Sequence, residues 1–168
     1  MSLPKAARAS RVRPALLWLA IFGSVLLQVT LPSVIPLARL FEFPLLVIIY
    51  FSVARRDKIF GIFLGTGLGL LQDALSHGYL GMMGMVEGLV GYLAASASAK
   101  FDVDHAFARG LLIAVLVIVQ DLSADFLRHA LLEASYPWEP LHLASSALFN
   151  VALGLVLFRV FDRFQRSA

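Results

Sequence analysis

Cysteine is absent from the 168 residues. That excludes disulfides, thiolate nucleophiles and cysteine metal ligands, and it assigns no compartment. Charge is scarce as well: 15% of residues are Asp, Glu, Lys or Arg, against 60% hydrophobic. A water-soluble domain of this length needs more polar surface than that to cover its core. Long polar connections are also missing, so no soluble domain of ordinary size fits between the apolar runs. Function must then lie within those runs, on their lipid-facing flanks or in short turns. Catalytic signatures are lacking too. There is no Gly-x-Ser-x-Gly turn, no His-Glu-x-x-His helix and no phosphate-cradling glycine loop ending in Lys. Ser145 and Ser146 follow His142 at a helix start, where packed hydroxyls are the expected role. The chain is expected to be no enzyme and to need no cofactor.

What the sequence does hold is apolar length. Mean hydropathy is +0.83, and several runs reach the roughly 20 helical residues that cross a bilayer. The pattern predicts an all-α membrane protein, a bundle of six transmembrane helices at about 15–31, 34–54, 59–75, 79–99, 106–131 and 141–161. A basic segment 1–14 precedes the membrane domain 15–161, and a tail 162–168 follows it. The first run follows "KAARASRVR" and has no small-x-small cleavage site after it, so it is expected to be a retained helix. The second span is the weakest. Its core, Pro44 to Ala54, would rise only about 16 Å as helix. It reaches spanning length by including Pro36, Arg39, Glu42 and Pro44. A broken or kinked helix is expected there, with Arg39 and Glu42 paired at i,i+3.

Net charge is +3 and the chain holds 14 Lys and Arg. No basic stripe with interleaved aromatics is present, so nucleic acid is not an expected partner. The placement of the cations sets orientation instead. With the N-terminus inside, 12 of the 14 fall in inner segments, among them Lys5, Arg8, Arg11, Arg13, Lys100, Arg159, Arg163, Arg166 and the basic turn Arg55, Arg56 and Lys58. Only Arg39 and Arg128 fall outside. Both termini are therefore expected in the cytoplasm, in an inner (plasma) membrane. Tyr136 and Trp138 suit an outer interfacial belt.

The stretch "GLLQDALSHGYLG" places a carboxylate, Asp73, in an apolar helix. Ionisable groups in membranes are costly and point to function. At 1.5 Å per residue, Asp73 lies about 20 Å from the inner end of the third span. Gln28, Gln72, Glu87, Gln120, Asp121 and Asn150 all fall in the same outer half. With Asp125 they form a candidate outer polar cluster, for a partner or a small molecule. The residues alone leave a structural and a binding role open. Asp121, Asp125 and His129 also share one helical face at i, i+4 and i+8. Two carboxylates and an imidazole could ligate a divalent metal. No second helix offers a clear ligand pair, so an outer helix end salt-bridged through Asp125 is expected instead, with no metal. His77, His105 and His142 lack ligand spacing.

Glycines form a further pattern. Gly61, Gly65 and Gly69 recur at i,i+4 in the third span, and Gly81, Gly84, Gly88 and Gly91 lie at and along the fourth. Small residues let helices approach closely. Tight packing of these two spans is expected, with a face for another protein's helix as the second reading.

Two stretches carry a family resemblance. "FEFPLLVIIYFSVARRDKIFG" has a proline leading an aliphatic run, a tyrosine and a basic turn, here Pro44, Tyr50 and Arg55–Arg56. "GIFLGTGLGLLQDALSHGYLGMMGM" has Gly69, Leu70, Asp73, Leu75, Ser76, Leu80 and Gly81. The sequence resembles the bacterial rod shape-determining protein MreD family, best over Pro44 to Tyr92. The resemblance implies a non-enzymatic scaffold of the cell-elongation machinery. Its implied partners are an MreC-like bitopic protein, a RodA-type polymerase with its transpeptidase, and MreB filaments, at peptidoglycan synthesis. It also implies a fold shared with the S-components of energy-coupling-factor transporters. A second copy of the chain is a further candidate partner. The competing expectation is a transporter subunit binding a vitamin-sized molecule at Asp73, Glu87, Asp121 and Asn150. Such subunits dock through Ala-x-x-x-Ala in the first helix, and here Ala15 is followed by Leu19 at that spacing.

Overall fold

The computed structural model describes residues 14–76, 79–101, 103, 105–132 and 140–166. Six α-helices appear where six spans are expected: α1 Pro14–Val34, α2 Phe43–Arg55, α3 Lys58–Ser76, α4 Met82–Lys100, α5 Ala106–Leu132 and α6 Pro140–Arg166. No strand occurs among the described residues. Four helices (α1, α3, α5 and α6) are long and apolar enough to cross a membrane. Lys5, Arg8, Arg11, Arg13, His77, Tyr136, Trp138 and the last two residues lie outside the described residues, as does the side chain of His142. Helix α6 runs through Arg166, past the expected tail boundary at residue 162.

Contacts fix the directions. On α3 and α4, Gly61 meets Gly91, Gly65 meets Glu87 and Gly69 meets Met83, so the two run antiparallel. On α2 and α6, Leu46 approaches Gly154 and Tyr50 bonds Asp162, so these run parallel. Helix α5 opposes α6, through Ile113 on Gly154 and Arg109 on Asp162. Gln28 of α1 bonds the first residue of α2. Up-down alternation brings Pro14 and Arg166 to one end of the bundle, here termed the basic end.

Helix α2 is the centre of the core. Every residue from Pro44 to Ser52 is buried. An apolar helix buried on all sides must be enclosed by protein, and α1, α3, α4, α5 and α6 all contact it. Its 13 residues would rise only about 20 Å. A 3₁₀ turn, Pro36–Leu40, precedes it. The expected break is therefore present, as a 3₁₀ turn followed by extended residues rather than a kink. Pro44 sits in the first turn of α2, where its missing N–H costs no hydrogen bond. The expected Arg39–Glu42 pair does not form, and the cation whose field reaches Glu42 is Arg128. A helical i,i+3 pairing needs continuous helix, and the chain is extended at Phe41.

Helix α4 buries one face through small residues, while Met85, Leu89 and Tyr92 stay exposed on the other. Gly84, Gly88, Gly91, Ala94 and Ala95 are buried, and its neighbours include α2, α3 and α5. Its small residues lower its hydropathy, but they let α3 close onto it. A Cβ added at Gly65 would collide with the Glu87 carbonyl, and one at Gly69 would lie 2.5 Å from the Met83 carbonyl. Outward faces carry large apolar residues, such as Trp18, Phe22, Phe63 and Phe126. Lipid tails solvate these without penalty.

Candidate functional site

Asp73 lies three residues before the end of α3 and is buried. Its carboxylate points across the turn to the start of α4. Oδ2 accepts from the backbone N–H of Gly81 at 2.8 Å, of Met83 at 3.1 Å and of Gly84 at 3.4 Å. The first N–H groups of a helix have no internal partner. The N-cap position is Gly81, which has no side chain to offer and holds a left-handed φ of 96°. Asp73 therefore does from the neighbouring helix what an N-cap side chain does locally. Its negative charge also faces the positive end of the α4 dipole. The sequence pattern groups Gly81 with the packing glycines. A Cβ there meets nothing within 4 Å, so its left-handed turn is what calls for glycine.

Asn150 and Gln28 do similar work at the break before α2. Asn150 is fully buried. Its Nδ2 donates to the Leu40 carbonyl at 2.8 Å, and its Oδ1 accepts from the Glu42 N–H at 2.8 Å. One amide thus bridges the irregular residues between the 3₁₀ turn and α2. The same Nδ2 contacts Ser146 Oγ at 3.2 Å. Gln28 Oε1 accepts from the Phe43 N–H at 3.1 Å. Non-helical backbone at membrane depth survives only where protein satisfies it, and these two side chains do so.

The remaining polar groups form a second set. Glu87 and Gln120 are each 1% exposed. Oε2 of Glu87 and both amide atoms of Gln120 are buried with no hydrogen-bond partner. Glu87 lies in the electrostatic field of Glu42 and Asp73, and Glu42 in that of Asp121 and Arg128. Glu42, which the sequence reading assigned to an ion pair, thus joins the carboxylates of α3, α4 and α5. Gln72 is half-buried and its Oε1 is also unpartnered. Asp125 stands apart from this set. It pairs with Arg128 at 2.9 Å on a half-exposed face. Among the described residues, no three acidic or histidine side chains converge to hold a metal.

A third polar group lies toward the basic end, and the sequence reading missed it. Tyr50 Oη donates to Asp162 Oδ1 at 2.9 Å, and Arg109 Nη1 donates to Asp162 Oδ2 at 2.6 Å. Arg109 Nε donates to the Val103 carbonyl at 3.0 Å. The latch joins α2, α5, α6 and the α4–α5 connection. The only sequence signal was a tyrosine in an aliphatic run and an acid between two arginines. Nearby, the turn Arg55–Lys58 closes α2 onto α3. Arg56 is left-handed (φ 54°) and its N–H bonds the Ser52 carbonyl. Asp57 caps α3 through the N–H groups of Ile59 and Phe60. Arg55 lies over the Phe60 ring, and Lys58 faces Tyr92.

Every one of these groups faces protein backbone, another side chain or a sealed interior, and none sits in an exposed nucleophile–base arrangement. No curated protein and no solved structure matches the chain. The family model described as rod shape-determining protein MreD matches residues 10–163. Nearly the whole chain lies within that match, so this multi-pass membrane protein belongs to the MreD family of rod shape-determining proteins.

Proposed function

We propose that the chain is a non-enzymatic inner-membrane scaffold of cell elongation, with both termini cytoplasmic. In this reading it binds an MreC-like bitopic protein and helps couple MreB filaments to peptidoglycan synthesis by a RodA-type polymerase and its transpeptidase. An S-component-like bundle is the fold proposed for it. The observation that carries the reading is the use made of its intramembrane polar side chains. Asp73, Gln28 and Asn150 close helix ends and a chain break. Such ties hold helices in register, which a scaffold needs for a fixed partner surface. They also weigh against the transporter reading, because Asp73 and Asn150 are engaged with backbone. Gly61, Gly65 and Gly69 of α3 and Gly84, Gly88 and Gly91 of α4 face one another's helices, so a partner surface is better sought on other faces.

Co-purification in mild detergent tests this. The full chain should retain the MreC-like protein, and its depletion should round the cells. A chain that forms no such complex, yet is stabilised by a vitamin-sized molecule, would favour transport instead.

A further inference from the structure

Arg55 ends α2 and Lys58 begins α3, so both stand in one tight turn. Both are exposed, and neither is ion-paired among the described residues. Asp57 lies between them, but its Oδ1 accepts from the N–H groups of Ile59 and Phe60. Each cation is held over an aromatic ring instead. The Arg55 guanidinium lies 4.1 Å from the Phe60 centroid, and Lys58 Nζ lies 5.7 Å from that of Tyr92. A ring covers one side of a cation and leaves its other N–H donors open to an anion. Lys100 and Arg159 are also exposed at this end, with no ring contact among the described residues. The turn thus holds two positioned cations whose donors have no carboxylate to meet.

An apolar surface runs outward from these cations along the seam of α3 and α4. Ile59, Phe63 and Leu70 are exposed on α3, and Tyr92, Leu89 and Met85 on α4. Their spacing puts each set on one face of its helix. The two faces adjoin at both ends: Lys58 reaches Tyr92, and the Leu70 side chain lies against Gly84. From Lys58 to Leu70 is 12 residues of α3. That is about 18 Å, enough to cover the roughly 15 Å of hydrocarbon in one leaflet. An occupant of this surface needs an anionic head at the turn and a long apolar tail. A soluble acidic protein lacks the tail, and a zwitterionic lipid carries a cation beside its phosphate. We infer that Arg55 and Lys58 form a head-group site for an anionic phospholipid, with an acyl chain along the α3–α4 seam. Arg55 meets the phosphate through its in-plane N–H fork, and Lys58 meets it as a point charge. The site goes beyond the scaffold reading and depends neither on it nor on which end faces the cytoplasm.

The test offers the full chain, in mild detergent, an equimolar mixture of phosphatidylglycerol and phosphatidylcholine with matched acyl chains. Native mass spectrometry then reads the lipid retained. Phosphatidylglycerol should exceed phosphatidylcholine by at least about tenfold. Arg55→Gln combined with Lys58→Gln should bring that ratio below about twofold. If this double variant does not fold, Lys58→Gln alone should lower the ratio at least about threefold. Lys100→Gln combined with Arg159→Gln removes the same charge from the same end and should leave the preference in place. Glycerol 1-phosphate, a head group without chains, should not displace the lipid at equal concentration. Equal retention of the two lipids by the parent chain overturns the site. So does an equal fall in both double variants, which marks diffuse attraction, or displacement by glycerol 1-phosphate, which leaves the seam no role.

Discussion

Asp73 shows how much one carboxylate can do when it faces backbone rather than solvent. It holds three N–H groups at the start of α4. Asp73→Asn keeps an acceptor oxygen but loses the charge that faces the helix dipole, so a loss of about 1 kcal/mol is expected. Asp73→Leu leaves those donors unpaired inside the bundle, and about 3 kcal/mol is expected. Equilibrium unfolding of the purified variants in mild detergent distinguishes the two, and equal losses would contradict a capping role. Asp73 was legible in the sequence as an intramembrane charge. Its partners were not, because backbone N–H groups belong to every residue and leave no mark in composition.

At the scale of elements, the contact between α3 and α4 depends on particular glycines. A side chain at Gly65 would enter the α4 backbone, whereas one at Gly67 meets nothing within 4 Å. Gly65→Ala should therefore destabilise the pair by about 1–3 kcal/mol through overpacking. Gly67→Ala, two residues away, should be neutral or stabilising by up to about 1 kcal/mol, since alanine is the better helix former. Thermal unfolding of both variants in the same detergent checks the contrast. The i,i+4 glycine spacing was readable beforehand. Packing of the third span on the fourth was the reading it supported, and the antiparallel return of α4 set which residues meet. The short second helix is a similar case. Its prolines announced a break, but its tolerance rests on Asn150, more than 100 residues away in sequence.

Across the whole molecule, polar ties hold α6 at two depths. Asn150 anchors it beside the break before α2, and Asp162 anchors it to Tyr50 and Arg109 toward the basic end. Arg109→Ala and Asp162→Ala should each loosen that second tie. Together they should cost less than the sum of the separate losses, with a coupling of about 1 kcal/mol in a double-mutant cycle. Strict additivity would mean that the pair is not a latch. The absence of native cysteine makes orientation testable as well. Lys58→Cys should react with an impermeant maleimide only from the cytoplasmic side, and Tyr79→Cys only from the opposite side. Labelling of both from one side would overturn the alternation.

By itself the sequence determined the number of helices, their approximate bounds and the asymmetry of charge about them. These follow from local properties: run length sets what can cross a bilayer, and each cation marks a flank. It also placed Asp73, Glu87, Gln120 and Asn150 in one half of the bundle, because rise per residue is constant along a helix. Only the tertiary structure decided what each of them faces. The azimuth of a side chain in a bundle depends on which helices pack together and in what direction. That packing sent Asp73 and Asn150 to backbone groups, joined Tyr50 to Asp162, and left Glu87 and Gln120 sealed with unmet hydrogen bonds.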